Sequence, residues 1–525
     1  MSANFQLVLP IILPIISGIL IGFVRPLRHP VAQRLFLIST LVLNVAIVIA
    51  IVMQDQMSLV LFHLTERLPV LLRSDDLTRM FCTLAAIMFL FVGIYSPVYM
   101  KHEGKESRFY MFFLIVLGTL MGFGFSGNFM TLYLFFELTT LLSIPLVLHS
   151  LTKDAVAAAF KYLYFSIAGA SLTLVGFFFI YVYGINMDFT PGGVLDMERL
   201  AGNEGQMLVV TMLVIVGFGA KAGMFPMHSW LPIAHPVAPA PASAILSGVI
   251  TKVGVFAIIR FVFHLVGPDF IRGTWVQTAW ISLALFTGIM GSLMAFYEPL
   301  LKRRLAYSTI SQIGYILFGF AILTTGGLVG ALMQMVFHSL AKNALFLAAG
   351  AIILQTHKTQ VADMIGIGKK MPVTIWCFAL ASFSLVGIPP TGGFTGKWFT
   401  ATGSLVADTG FFAWLAPAVL LFSALLAAGY LLPIVISGFF PGSKAAAGHG
   451  DHGDHGAGGG HGDGGGEHGG SHGHGGHGGG SHGGSLEAAP SILVPVLILA
   501  GATVILGMFS GGLIPLLERI AGGLL

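Results

Sequence analysis

Long apolar runs alternate with short polar connections over most of the chain. Each run holds roughly 17 to 25 residues, enough for an α-helix to cross a hydrocarbon core about 30 Å thick. The continuous runs lack the alternation of lipid-facing and lumen-facing positions that is typical of a β-barrel. The pattern predicts an all-α, polytopic membrane protein with about fourteen transmembrane helices. The predicted spans lie near residues 4–23, 33–53, 79–98, 109–126, 128–149, 161–183, 208–225, 242–266, 275–297, 305–323, 329–354, 373–400, 410–438 and 491–509.

Two of these spans, the seventh and the twelfth, contain residues that break helices. Pro226 follows Lys221 and breaks the continuation of the seventh span, and VGIPPTGGFTGKW at residues 386–398 interrupts the twelfth. Interrupted helices at matching positions of two halves indicate inverted repeats, here of five helices each. The predicted divisions are N-terminal helices in residues 1–108, a first repeat in 109–266, a second repeat in 275–438, a loop in 441–490 and a C-terminal transmembrane helix in 491–525.

Composition agrees with a membrane protein and excludes several functions. Hydrophobic residues make up 56% of the chain and charged residues only 9%, whereas soluble domains carry about a quarter charged residues. Cys82 and Cys377 both fall inside apolar runs, so neither a disulfide framework nor a cysteine-ligated cluster is predicted. The net charge of +4 resides in short loops and gives no reason to expect a nucleic-acid partner. We predict no cofactor and no catalytic site in this chain.

The stretch from Gly217 to Phe261 places ionisable residues in membrane-grade apolar sequence. An ammonium group near the bilayer centre costs at least about 2.5–3.5 kcal/mol, so Lys221 and Lys252 should face protein or water. Because proline breaks helices, the helix carrying Lys221 should end soon after it and leave His228 and His235 on irregular backbone. A new helix after the prolines would carry Lys252 to mid-membrane. The alternative, lysines that snorkel to the interface, is disfavoured by the central position of Lys252.

The same stretch resembles the proton-conducting, antiporter-like subunits of respiratory complex I, Mrp-type sodium/proton antiporters and membrane-bound hydrogenases. The resemblance rests on KAGMFPMHSWLP, AHPVAPAPASAIL and ITKVG, and it extends over roughly residues 75–440. It implies two inverted repeats, each with a discontinuous helix, and proton translocation within a larger membrane complex. The motifs VADMIGIGKKMP and IPPTGGFTGKW are closer to the Mrp-type and hydrogenase-type members.

Glu137 is the acidic residue of the fifth predicted span and lies near its middle. A buried carboxylate without a cation nearby would keep its proton, and the resemblance implies Lys221 as its partner. The alternative is a protonated, hydrogen-bonded glutamate in the core. Lysine suits a proton relay because burial moves its proton affinity readily, whereas arginine effectively never releases its proton.

His338 and Lys342 lie four residues apart, on one face of the eleventh predicted span. The resemblance implies that His338 belongs to a central proton chain and that Lys397 is the terminal lysine of that chain. The alternative for His338 is a histidine that caps a neighbouring helix. The predicted proton-translocation residues are Glu137, Lys221, Lys252, His338 and Lys397, with His228, His235 and Lys342 in secondary roles.

The segment from Gly448 to Gly484 consists almost entirely of glycine and histidine and cannot bury enough apolar surface to fold. We predict a flexible loop between the last two spans. His452 and His455, in the sequence HGDHGDH, offer a weak metal-binding site, but a simple linker explains the segment more economically.

Cations concentrate in alternate connections between the predicted spans. The positive-inside rule therefore predicts a cell (inner) membrane protein with both termini outside the cytoplasm and the His-rich loop inside it. The residues that carry this prediction are Arg25, Arg28, Arg34, Lys101, Lys105, Arg108, Lys302, Arg303, Arg304, Lys358, Lys369 and Lys370.

The predicted function is proton translocation by an antiporter-like subunit of a multi-subunit membrane complex. As a protein like the D-type subunit of Mrp antiporters, the chain would help exchange sodium for protons beside other membrane subunits. The alternative is the proton-pumping subunit of a membrane-bound hydrogenase or an NADH:quinone oxidoreductase, with electron transfer elsewhere as the driving reaction. A scaffold with a decayed ion path would have lost its intramembrane charges, yet Glu137, Lys221, Lys252 and Lys397 are all present.

Overall fold

The computed structural model describes residues 3–441 and 486–525, which form a bundle of long helices. The helices of the first part are α1 (Leu9–Phe23), α2 (Pro30–Val52), α3 (Asp76–Glu103), α4 (Glu106–Gly124), α5 (Phe129–Val147), α6 (Lys153–Tyr183), α7 (Met197–Leu200), α8 (Glu204–Ala222), α9 (Leu231–Val237) and α10 (Ala240–Val266). Those of the second part are α11 (Pro268–Ile271), α12 (Trp275–Tyr297), α13 (Leu301–Ala321), α14 (Thr325–Thr356), α15 (Ile367–Lys370), α16 (Pro372–Val386), α17 (Gly392–Leu405), α18 (Phe411–Phe439), α19 (Pro490–Met508) and α20 (Ile514–Leu524). Short 3-10 turns occupy Ala3–Val8, Arg25–Arg28, Val361–Met364 and Ser510–Gly512.

Side-chain caps fix where several of these helices begin. Asn128 accepts a hydrogen bond from the Thr131 amide at 2.9 Å at the start of α5, and Thr324 accepts from the Gly327 amide at 3.2 Å at the start of α14. Such caps satisfy amides that have no partner inside the helix. The starts of α5 and α14, which carry Glu137 and His338, are therefore set by local sequence.

Twelve helices in the described residues are long and apolar enough to cross a membrane, so the count of fourteen is not confirmed on this criterion. The difference has a local cause. Lys302, Arg303 and Arg304 lie in the first turn of α13, and the next two turns contain serine, threonine and glutamine. The twelfth predicted span is two helices, α16 and α17, and each piece is short.

A β-hairpin that the hydrophobic pattern did not predict lies between α2 and α3. Strand β1 (Met57–Thr65) pairs antiparallel with β2 (Leu68–Ser74). The hairpin rests on the connection between α4 and α5, where the Gly127 amide donates to the Leu71 carbonyl at 2.8 Å and the Arg73 amide to the Phe125 carbonyl at 2.7 Å. The fold is all-α apart from this element.

Helices α10 and α14 form the centre of the bundle. The apolar window of α10 is entirely buried and that of α14 is 89% buried, whereas the corresponding windows of α2 and α6 are 33% and 39% buried. Because α10 carries Lys252 and α14 carries His338, both residues lie where protein replaces lipid on every side.

The C-terminal region is more than the single transmembrane helix that the sequence predicts. Helix α19 forms the span, a 3-10 turn follows, and α20 then packs against α14 and reaches Asp76, whose carboxylate lies 2.7 Å from Arg519 Nε. The apolar residues Leu517, Ile520 and Leu524 form the buried face of α20.

Candidate functional site

Lys221 is held among hydroxyl groups at the end of α8. It is 1% exposed, and its ammonium donates hydrogen bonds to Thr140 Oγ1 at 2.8 Å and Tyr162 OH at 2.6 Å. The Tyr162 hydroxyl also lies 2.8 Å from Ser143 Oγ. The Tyr162 ring stacks on Trp230 with centroids 4.4 Å apart, so the acceptor for the lysine is fixed in place. As the sequence predicts, the helix ends directly after Lys221, at Ala222.

Glu137 lies one helical turn before Thr140 on α5. One of its carboxylate oxygens, Oε1, is buried and has no hydrogen-bond partner among the described residues. The lysine of this cluster bonds the hydroxyls in this structure, and no ion pair between Glu137 and Lys221 is formed among the described residues. A buried polar atom without a partner is costly, so Glu137 Oε1 is an unused acceptor one helical turn from Thr140, the residue whose hydroxyl accepts from Lys221.

Lys252 and His338 are in direct contact at the centre of the bundle. Both side chains are 1% exposed, and the Lys252 ammonium lies 2.6 Å from His338 Nδ1. An ammonium can only donate, so a charged Lys252 requires Nδ1 to be the acceptor and places the imidazole proton on Nε2. Two basic groups at this distance can exchange one proton directly.

A π-helical turn next to Lys252 supplies a further acceptor. Residues Leu246–Ile250 form π helix, and the Ser247 carbonyl in this turn accepts from the Lys252 ammonium at 2.7 Å. In a regular α-helix that carbonyl would accept from the backbone four residues later. π turns occur frequently at functional sites.

Lys342 lies one turn beyond His338 on α14 and is fully buried. Its ammonium donates to the Leu305 carbonyl at 2.8 Å and to Ser308 Oγ, both on α13. Lys342 therefore links α14 to α13 at a position one helical turn after His338.

Lys397 lies at the second helix break, as the sequence predicts. Helix α16 ends at Val386 and α17 begins at Gly392, and the Lys397 ammonium donates to the Leu385 carbonyl at 2.6 Å and the Val386 carbonyl at 2.8 Å. The last carbonyls of a helix have no partner within it and carry partial negative charge, so they attract a cation. The ammonium also lies 5.2 Å from the centroid of the Tyr315 ring.

Two glutamines that the sequence analysis missed lie between the helix turn before His338 and the carbonyls that hold Lys397. Gln334 lies one turn before His338 on α14 and donates to Gln312 Oε1 at 2.5 Å. Gln312 in turn donates to the Leu385 carbonyl at 3.2 Å, the same carbonyl that accepts from Lys397. A glutamine inside an apolar span is itself costly, and that cost is the signal by which the sequence could have identified both residues.

Glycines bring the helices of the site close together. A Cβ atom on Gly254 would clash with the Phe218 carbonyl oxygen of α8, so α10 and α8 touch through their backbones beside Lys252 and Lys221. A Cβ on Gly248 would clash with the Asn343 side chain of α14. These contacts allow the lysines and histidine of the site to lie on successive, directly packed helices.

His228 and His235 are not brought to the Lys252–His338 pair by any hydrogen bond among the described residues. His228 lies in the turn between α8 and α9, as the sequence predicts, and its ring stacks on Phe225 at 5.8 Å. The expectation of irregular backbone is wrong for His235, which lies inside the short helix α9. Its ring is fully buried against Phe346 at 4.6 Å, and neither ring nitrogen has a hydrogen-bond partner among the described residues.

A buried ion pair that the sequence analysis did not identify anchors the far end of α10. Arg260 is 1% exposed, and its Nη2 lies 2.7 Å from both carboxylate oxygens of Asp75, the residue before α3. His264 Nε2 lies 3.1 Å from Arg260 Nη1. Burial raises the pKa of the Asp75 carboxyl, but the charge of Arg260 and the hydrogen bonds from Arg260 and the Thr78 amide outweigh this effect and lower that pKa to about 2. Asp75 therefore stays ionised at every physiological pH.

No group of three or more metal-ligating side chains occurs within residues 3–441 and 486–525. The weak metal site suggested for His452 and His455 lies outside the described residues.

The family model for the "NADH:quinone oxidoreductase/Mrp antiporter, TM" domain matches residues 126–424. The NADH-quinone oxidoreductase subunit N of Desulforudis audaxviator is 30% identical over 442 residues, which cover 83% of this chain and 81% of that protein. The D-type Na(+)/H(+) antiporter subunit of Bacillus subtilis is 32% identical over 335 residues, which cover 64% of this chain and 67% of that protein.

Among solved structures, the Mrp complex from Dietzia sp. DQ12-45-1b contains a chain that superimposes with a TM-score of 0.79. The alignment covers 100% of this chain and 98% of the other at 21% identity, so it shows a shared fold. The match to the family model extends over more than half of the chain, from the end of α4 into α18, and it includes all five predicted proton-translocation residues. The chain belongs to the NADH:quinone oxidoreductase/Mrp antiporter family of transmembrane subunits.

Proposed function

We propose that this chain translocates protons across the membrane as an antiporter-like subunit of a multi-subunit complex. The observation that carries the proposal is the buried contact between the Lys252 ammonium and His338 Nδ1, 2.6 Å apart at the centre of the bundle. Intramembrane ionisable residues are costly and mark ion pathways by default. Two basic groups cannot form an ion pair with each other. At this distance one proton can move between the two nitrogens, so the contact acts as a proton relay.

In this proposal the path has three stations. Glu137 and Lys221 form the first, where the lysine alternates between its present hydroxyl partners and the carboxylate. The Lys252–His338 pair forms the second. Lys397 forms the third, and the hydrogen-bonded groups Gln334, Gln312 and the Leu385 carbonyl form the polar stretch that leads toward it from the centre.

Among the complexes of this family we favour an Mrp-type antiporter, in which the chain would act as the D-type subunit and exchange sodium for protons. Support comes from the likeness to the Bacillus subtilis antiporter subunit and to the Dietzia Mrp complex. The match to an NADH-quinone oxidoreductase subunit N, which covers more of the chain, favours the second candidate, a proton-pumping subunit of an electron-transfer complex.

The test combines identification of the partners with measurement of proton flux. The complex is purified from its native membrane through a tag on this chain, its subunits are identified by mass spectrometry, and it is reconstituted into vesicles containing a pH-sensitive dye. A sodium gradient should drive proton movement in the wild type, and His338→Gln should abolish it. His357→Gln, in the connection after α14, is the matched control and should transport normally.

A redox subunit among the purified partners, together with no response to sodium, would replace the Mrp assignment by the second candidate. Normal flux in His338→Gln would contradict the proposed role of the central pair in either complex.

We also propose that both termini lie outside the cytoplasm and that the His-rich loop lies inside it. The support is the distribution of basic residues between the spans. Single cysteines at Ser471 and Gly326 in a cysteine-free variant would report this topology. An impermeant maleimide added to intact cells should label the cysteine at Gly326 and not the one at Ser471, and the opposite result would overturn the orientation.

A further inference from the structure

An apolar groove runs along the outside of the bundle between α3, α14 and the C-terminal helices α19 and α20. It encloses 420 Å³, and charged residues line it only at one end, where Asp76, Arg79 and Arg519 lie. Neither Lys252 nor His338 lines it. The groove is therefore separate from the proposed proton path.

The groove is longer than one leaflet of a membrane is thick. Its lining follows a single stripe of α3 from Asp76 through Met80, Leu84 and Ile87 to Phe91. These positions recur every three or four residues, the spacing of one helix face, and about fifteen residues at 1.5 Å each span about 22 Å. Because half of a hydrocarbon core is about 15 Å thick, the groove reaches from the membrane surface past the midplane.

The charged end carries more positive than negative charge. Arg519 Nε lies 2.7 Å from Asp76 Oδ2, and 66% of the Arg519 side chain remains exposed. Arg79 Nη1 lies 3.7 Å from the same carboxylate. Two guanidinium groups and one carboxylate leave one net positive charge, and guanidinium geometry suits a phosphate group.

The side of the groove that faces away from the bundle is exposed on the surface of the chain. Ile498 and Leu506 of α19 line it and are 42% and 38% exposed. Its inner wall includes Val336 and Leu340 of α14, which lie on either side of His338 in sequence. An occupant of the groove would therefore touch the helix that carries His338.

We propose that this groove binds one anionic phospholipid, with the phosphate at Arg519 and Arg79 and one acyl chain along α3. The positive charge at the mouth selects an anionic headgroup, and the apolar stripe below it has the depth of an acyl chain. The bound chain fills the space between α3, α14 and α19 and supports α14 from outside.

The test uses the assembled complex in vesicles of phosphatidylcholine and phosphatidylglycerol in equal amounts. One of the two lipids carries a photoreactive diazirine on its acyl chain, and crosslinked peptides are identified by mass spectrometry. Labelled phosphatidylglycerol should crosslink to the α3 segment between Met80 and Phe91 more strongly than labelled phosphatidylcholine does. Arg519→Gln should lower this preference about fivefold, since one basic residue near a surface is worth about that much for an anionic lipid.

A large side chain placed in the groove should exclude the acyl chain of the lipid. Ala502→Trp, on the groove face of α19, should remove the α3 crosslink, whereas Leu497→Trp, on the exposed lipid face of the same helix, should leave it intact. If Ala502→Trp fails to assemble, the exposed Arg519→Gln variant decides the question alone.

Equal crosslinking by both lipids would show ordinary annular lipid and overturn the proposal. The same conclusion would follow if Ala502→Trp crosslinked normally. It would also follow if the labelled lipids crosslinked to neighbouring subunits but not to the α3 segment, because a protein partner would then fill the groove.

Discussion

Replacing Tyr162 by phenylalanine removes a single oxygen from the Lys221 cluster and leaves the aromatic ring in place. The structure assigns that oxygen two contacts, with the Lys221 ammonium at 2.6 Å and with Ser143 Oγ at 2.8 Å. A hydrogen bond to a charged group contributes about 1.5–3 kcal/mol. Since each 1.4 kcal/mol is a factor of about ten, the interaction corresponds to about a tenfold to hundredfold effect on the charged state of this lysine.

We expect Tyr162→Phe to assemble normally, because its ring still stacks on Trp230, and to lower the proton flux by about tenfold to hundredfold. The assay is the initial rate of the internal pH change in vesicles containing the reconstituted complex. Tyr133→Phe is the matched control, since the Tyr133 hydroxyl makes only a long contact of 3.4 Å to the Ala170 carbonyl. Wild-type flux in Tyr162→Phe, or an equal loss in both variants, would refute the idea that the hydroxyl holds Lys221 for proton transfer.

Three further predictions concern the coupling and stability of the site. Glu137→Gln and Lys221→Ala should each nearly abolish transport while the double variant costs far less than their sum, as expected for residues that share one interaction; additive losses in this double-mutant cycle would show that they act independently. Gly254→Ala should destabilise the chain by about 1–3 kcal/mol in thermal unfolding because its Cβ meets the α8 backbone, whereas Gly205→Ala, which meets nothing within 4 Å, should unfold like the wild type. Asp75→Asn should cost about 3–5 kcal/mol because it leaves a buried arginine without its counter-charge, and a stability unchanged at neutral pH would contradict that assignment.

The sequence predicts those parts of the site that depend on local rules. Pro226 and the Pro389–Pro390 pair place the two helix breaks correctly, because proline cannot continue a helix and this holds in any tertiary context. The burial of Lys221 and Lys252 follows in the same way from the cost of an ammonium in lipid. The family relationship, carried by the motifs around these residues, is also confirmed.

The partners of these residues could not be predicted, because they come from distant parts of the chain. Thr140 and Tyr162 bond Lys221 across 81 and 59 residues, and Arg260 reaches Asp75 across 185. The hydrophobic periodicity of one helix does not show which face of a neighbouring helix it contacts. The hairpin between α2 and α3 was missed for a related reason, since its residues pack on a loop and need not follow the pattern of a half-buried sheet.

The C-terminal helix α20 was missed because its apolar residues follow closely after those of α19, so the two helices were taken as one C-terminal transmembrane segment. An eleven-residue helix is too short to cross a bilayer, and only the structure shows it lying against α14.

The central claim is that Lys252 moves protons by binding and releasing one beside His338. Lys252→Arg tests it most directly, because arginine keeps the positive charge and effectively never gives up its proton. Lys153→Arg, at the exposed start of α6, is the matched control. In vesicles containing the assembled complex, Lys252→Arg should assemble but show almost no proton flux, while Lys153→Arg should transport like the wild type. Near-normal flux in Lys252→Arg would contradict the account and reduce Lys252 to a fixed charge.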